Sequence, residues 1–175
     1  MADPVDQETL ILLLKAAMSA PTACNSQPWE FIVVTQTEVL DKIRSKMLFA
    51  RYNASAAIVV CGNLKIANNS AVRDHWVQDC SAATENILIA AAGMGLAAVS
   101  IGVYPYPSKI KPLSEAHGIP ENVIPLSMVY VGRLRRSKRR ALNTMNTESI
   151  GSITNRANAG QRSRTQNTYP ERKER

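Results

Sequence analysis

Side chains able to ligate a metal or form disulfides are scarce in this chain of 175 residues, which has three cysteines and two histidines. Cys24, Cys61 and Cys80 are odd in number and never arranged as CxxC, which excludes a zinc ribbon and a disulfide framework. Cys61 and Cys80 fall in apolar runs and read as small buried hydrophobes. Cys24 stands in a polar loop with no histidine near it in sequence to act as its base. No apolar stretch approaches the roughly 20 residues that span a bilayer. The first residues offer Asp3, Asp6 and Glu8 in place of a basic segment, so they do not read as a secretory signal. A soluble, cytoplasmic protein of one domain is the expectation. There is no P-loop, HExxH or GxSxG, and Gly93-Met94-Gly95 lacks the third glycine of a dinucleotide fingerprint. Asn53-Ala54-Ser55 and Asn68-Asn69-Ser70 match glycosylation acceptors, which a cytoplasmic protein would not use.

Positive charge is also missing from most of the chain, although the net charge is +7. Residues 1–132 carry nine Lys and Arg against eleven Asp and Glu, whereas residues 133–175 carry twelve against three. The basicity therefore belongs to the tail. Its run Arg133-Leu134-Arg135-Arg136-Ser137-Lys138-Arg139-Arg140 leads into Asn, Thr, Ser and Arg with few apolar residues, a composition expected to be disordered. Such a tail would bind polyanions non-specifically, and with Tyr169 as its one aromatic it is not built to read sequence.

What is present is periodic. Residues 7–19 put Leu10, Leu14, Ala17 and Met18 on one helical face, with Asp6 as N-cap. Phe31–Thr35 reads as a strand, 38–48 as a helix through Val39, Leu40, Ile43 and Met47, and Ala56–Cys61 as a second strand. The longest helix is expected over about 74–92, rich in alanine and stopped by Gly93 and Gly95. Ala97–Ile101 and Leu126–Val131 read as two more strands. A short helix over 107–117 begins at Pro107 and ends at His117-Gly118, the glycine suiting a left-handed cap. Periodicity alone gives a mixed α and β domain.

Between the first helix and first strand lies Ala20-Pro21-Thr22-Ala23-Cys24-Asn25-Ser26-Gln27-Pro28-Trp29, a loop dense in amides and prolines. It resembles the signature Pro-Ser-x-x-Asn-x-Gln-Pro-Trp of FMN-dependent nitroreductases, with Thr22 keeping the hydroxyl. Three more blocks in order are similar to that family. They are the long helix from Trp76, Gly93-Met94-Gly95-Leu96 with Val99-Ser100-Ile101-Gly102, and Gly118-Ile119-Pro120-Glu121 leading to Val131-Gly132. The resemblance covers about residues 7–132. It implies an α+β fold with a central mixed sheet flanked by helices, built as an intertwined homodimer with FMN at the subunit interface.

By the same resemblance Pro21, Thr22, Asn25 and Gln27 contact the ring and ribityl chain of FMN, while Ser100, Ile101 and Gly102 bring backbone groups near its N5 and pyrimidine edge. The alternatives on the residues themselves are a turn held by Asx-type bonds and a glycine that simply ends a strand. Trp29 reads as a core anchor, His117 as a favourable partner of a helix C-terminus, and His75 as a surface residue.

Two features depart from the family. Its basic segment before the first helix, which clamps the FMN phosphate, has no counterpart before Lys15. Losing such an arginine contact weakens binding by roughly 1.5–3 kcal/mol, about one to two decades in affinity. The tail is also unlike the family's, and translation out of frame is one reading of it: codons chosen for Leu134 onward and shifted by two bases can encode a family-like terminus. The function implied is electron transfer from NAD(P)H through FMN to a nitroaromatic, quinone or similar acceptor in ping-pong order. The alternatives are a non-catalytic remnant of the fold and a polyanion or nucleic-acid binder acting through residues 133–175.

Overall fold

Helix α1 (Gln7–Met18) starts where the sequence places its cap. Asp6 Oδ1 accepts from the Thr9 N–H at 2.8 Å and Oδ2 from the Thr9 hydroxyl at 2.9 Å. The computed structural model describes residues 3–46, 51–67 and 70–133. Expectations for Met47–Leu48, for Asn68-Asn69, and for the tail beyond Arg133 lie outside the described residues.

After α1 come β1 (Trp29–Val34), α2 (Thr37–Lys46), β2 (Ala56–Asn63), a single-turn α3 (Ser70–Arg73), α4 (Trp76–Gly93), β3 (Leu96–Gly102), α5 (Pro107–His117) and β4 (Val123–Arg133). The strands form one sheet in the order β1-β2-β4-β3. All three pairings among the described residues are antiparallel, with Phe31 opposite Val60, Val59 opposite Met128 and Ser100 opposite Val129. The parallel member that a mixed sheet requires is not among them.

The sheet is the middle of three layers. On one face α1 and α4 pack Leu10, Leu13, Cys80 and Ile87 against Ile58, Val60 and Val129. On the other, α2 and α5 pack Leu40, Ile43 and Leu113 against Val59, Met128 and Tyr130. Central β2 is covered on both faces, which is why it reads as an unbroken apolar run. Ile58, Val59 and Val60 are wholly buried, each contributing about 1.5–3 kcal/mol by leaving water. Edge strands β1 and β3 keep mostly half-buried side chains.

The alternating strand directions bring the start of β1, the end of β2, the start of β4 and the end of β3 to one end of the sheet. Asn63 gathers that end: its N–H donates to Pro28 O at 2.6 Å, its amide donates to Glu30 Oε1, and its Oδ1 accepts from Asn122 Nδ2 at 3.1 Å. Trp76 at the head of α4 lies directly over Gly62 and meets the Tyr104 ring edge-on at 5.0 Å.

Candidate functional site

The amide loop leaves α1 at Ser19 and closes as a 3-10 turn over Ala23–Asn25. Thr22 is its hinge: its carbonyl accepts from the Asn25 N–H and its hydroxyl from the Gln27 N–H, each at 3.2 Å. Gln27 Nε2 reaches Asn25 Oδ1 at 3.4 Å. Cys24, Asn25 and Gln27 all take positive φ, at 52°, 52° and 47°. Only asparagine tolerates that region readily among the three, and such strain of order 1–3 kcal/mol each persists where surrounding contacts impose it. Asn25 and Gln27 are exposed, so beyond the contact with each other their amides face solvent within reach of a ligand.

A buried carboxylate holds this turn from beneath. Asp79 on the first turn of α4 is 5% exposed, and its Oδ1 accepts from the Ala23 N–H at 3.0 Å. Its Oδ2 is buried without a hydrogen-bond partner among the described residues. Reading the sequence for motifs misses Asp79, although a signal was there. Trp76, Cys80, Ala83, Thr84 and Ile87 form the buried stripe of α4, and Asp79 is a charged residue at a stripe position.

Beside α4 the far edge of the same sheet end opens into a cleft of about 510 Å³. Val77, Leu88 and Leu126 supply apolar surface, Ser81, Thr84, Ser100 and Ser127 supply hydroxyls, and Glu85, Gly102, Tyr104 and Pro105 complete it. In its wall Thr84 Oγ1 donates to Cys80 O and lies 2.8 Å from Ser127 Oγ, both hydroxyls being buried. A Cβ on Gly102 would meet nothing within 4 Å, so the backbone there borders open space. Lys109 Nζ donates to Gly102 O at 2.9 Å and stands 4.6 Å from the Tyr106 ring centre. A smaller groove of about 320 Å³ between α2 and α5 lies on the opposite face and touches none of these residues.

The structure thus divides the residues expected at the site into two groups. Ser100 and Gly102 line the cleft, whereas the Ile101 side chain turns to the other face and packs with the α2–α5 cluster. Ile101 has only its backbone to offer. Pro21, Thr22, Asn25 and Gln27 share the sheet end but sit at the β1 edge, three strand steps of about 4.8 Å, roughly 14 Å, from β3. None of them lines the cleft. Trp29 is a buried core residue, 6.3 Å from Phe31 between ring centres. His117 differs from its expected part: burial lowers its pKa, and its Nε2 is enclosed without a partner among the described residues. Desolvation outweighs the helix-terminus attraction there. Burial pushes the thiols of Cys61 and Cys80 up to about 12, with Glu30 adding for Cys61 and Asp79 for Cys80. Cys24 is exposed.

Fold and site together define an α+β sandwich whose polar chemistry is gathered at one end of the sheet. The nitroreductase family model matches residues 1–50 and 48–133, and the chain belongs to the nitroreductase family. It is 49% identical over 130 residues to an Archaeoglobus fulgidus protein named "Putative NADH dehydrogenase/NAD(P)H nitroreductase", spanning 73% of this chain and 74% of that one. Among solved structures, the "Putative NADH Oxidase" of Clostridium acetobutylicum superposes with a TM-score of 0.77 at 34% identity, over 85% of this chain and 89% of that one. The FMN-dependent nitroreductase of Clostridium difficile R20291 does so at 0.70 and 27%, over 82% and 84%.

Proposed function

We propose that the protein is a flavin-dependent oxidoreductase acting as a homodimer, with each site made from the amide loop of one protomer and the cleft of the other. The observation that carries this reading is the split just described. Two complementary surfaces occupy the same end of the sheet on opposite edges, and the loop residues of one chain do not line its own cleft. A two-fold partner can bring its loop there.

The residues present fit a flavin. An isoalloxazine needs a flat apolar bed and, at its rim, alternating donors and acceptors. The cleft combines Val77, Leu88 and Leu126 with the hydroxyls of Ser81 and Ser100, and the open space beside Gly102 leaves its backbone approachable. The loop presents the Asn25 and Gln27 amides on a backbone already set by Thr22. In this assignment Pro21, Thr22, Asn25 and Gln27 hold the ring rim, Ser100 and the backbone of Ile101 and Gly102 face its reactive edge, and Lys109 fixes the Gly102 carbonyl. The chemistry that FMN supplies when bound is acceptance of hydride from NAD(P)H and its delivery, in ping-pong order, to a nitroaromatic, quinone or similar acceptor. The protein's part is to bind, orient and leave one ring face open to donor and acceptor in turn. The active unit in this reading is residues 1–132, with 133–175 a separate basic tail.

A mixed dimer tests it. One chain carries Asn25→Leu with Gln27→Leu, which spoils the loop; the other carries Gly102→Trp, which fills the cleft. Each homodimer should lose FMN retention, measured by flavin absorbance and fluorescence quenching. The co-expressed heterodimer, isolated with two tags, pairs the good loop of one chain with the good cleft of the other and should regain one site in two. Absence of any recovery, or a monomer that retains FMN, refutes the shared site.

A further inference from the structure

Asp79 lies in the long-helix block but is none of the residues expected at the cofactor, yet it is the buried carboxyl group on which the amide loop rests. Its Oδ1 accepts from the Ala23 N–H at 3.0 Å, between Thr22 and Asn25. The carboxylate is 5% exposed, and its second oxygen has no hydrogen-bond partner among the described residues. Burying a carboxylate for a single hydrogen bond is unfavourable for stability alone, and well-packed leucine would fill the stripe between Trp76 and Cys80 at less expense. The loop above it holds three non-glycine residues at positive φ, a conformation that needs outside support.

We infer that Asp79 is a positioning residue for flavin binding: through the Ala23 N–H it fixes the left-handed turn that presents Asn25 and Gln27 to the ring rim. This rests on the flavin reading above. The accepting oxygen, not the charge, does the positioning. Asparagine, whose Oδ1 can accept the same bond, should therefore replace it, and leucine should not. The donor can be removed independently. Thr22 is extended at φ −137° and ψ 152°, a conformation that a following proline prefers, and Ala23 opens a helical turn at a position where proline is tolerated. Ala23→Pro thus deletes the N–H with backbone angles compatible on both sides, its Cδ taking the hydrogen's place and pushing Asp79 Oδ1 back.

The test compares full-length wild type, Asp79→Leu, Asp79→Asn, Ala23→Pro and the Asp79→Leu/Ala23→Pro pair, by FMN dissociation constant from fluorescence quenching and by amide hydrogen exchange of the FMN-free protein. Asp79→Leu and Ala23→Pro should each weaken FMN at least tenfold and speed exchange at the Asn25 and Gln27 amides at least tenfold. Asp79→Asn should stay within threefold of wild type on both measures. The pair should be no more than twofold worse than the poorer single variant, since both remove one bond. Wild-type FMN affinity in either Asp79→Leu or Ala23→Pro overturns the inference, as does an Asp79→Asn defect as large as that of leucine. A wild type that takes up no FMN overturns the flavin reading instead, and the exchange rates then decide by themselves whether Asp79 holds the loop.

Discussion

A methyl group at Gly62 would stand 2.2 Å from Trp76 Cε3 and 2.8 Å from Cζ3. The indole is buried between the sheet and Tyr104 and has nowhere to go. Gly62→Ala should therefore destabilise by about 1–3 kcal/mol, as overpacking does, read as a fall in the urea midpoint with an unchanged m-value. The cysteines separate by burial in the same way. In native protein a thiol reagent at pH 8 should label Cys24 alone, and all three in urea; rapid native labelling of Cys61 or Cys80 would contradict their enclosure. Those two thiols keep their protons to about pH 12, against 9.0 for an ordinary cysteine. The unfolded chain thus loses protons first, so their contribution is intact below pH 9 and declines as pH climbs towards 12. Alkaline melts should show that loss, reduced in a Cys61→Ala/Cys80→Ala variant.

Helix α4 is tied to the sheet by the buried pair of Thr84 and Ser127, 2.8 Å apart. With Thr84 Oγ1 donating to Cys80 O, Ser127 is the donor between them. Thr84→Val strands that hydroxyl and should destabilise by about 1–3 kcal/mol. Adding Ser127→Ala should recover part of the loss, a sub-additive cycle measured by chemical denaturation. The elements themselves were largely legible. Asp6 and Gly118, the latter at φ 61°, punctuate α1 and α5 as their residue types dictate, and the unbroken apolar run of β2 follows from its two covered faces. Strand β4 extends beyond its sequence signal at both ends. Pro125 interrupts its pattern, but Val60 pairs with Ser127 and Cys61 with Pro125, so a bulge at Leu126 carries the strand past the proline. At the site, the amide turn was visible in its composition. Its left-handed backbone and its support by Asp79 were not, because they depend on α4 lying beneath the loop, which no local pattern encodes.

Across the whole molecule, charge is as unevenly placed as the chemistry. A balance of −2 over residues 1–132 against +9 over 133–175 predicts that heparin retention at about 0.1 M salt resides in the tail. A chain ending at Arg133 should elute unretained while binding FMN like the full chain; equal retention would place the polyanion surface elsewhere. One helix also spans both halves of the proposed site. Asp79 supports the loop and Thr84 walls the cleft, five residues or about 7.5 Å apart along α4. In a two-fold dimer that loop and that cleft belong to different flavins, so every copy of α4 touches both. Any shift of α4 on filling one proposed site reaches the other, and by linkage such a coupling is reciprocal. Flavin titration of the dimer should depart from a single hyperbola, and the direction of its curvature would tell whether the first occupant helps or hinders the second.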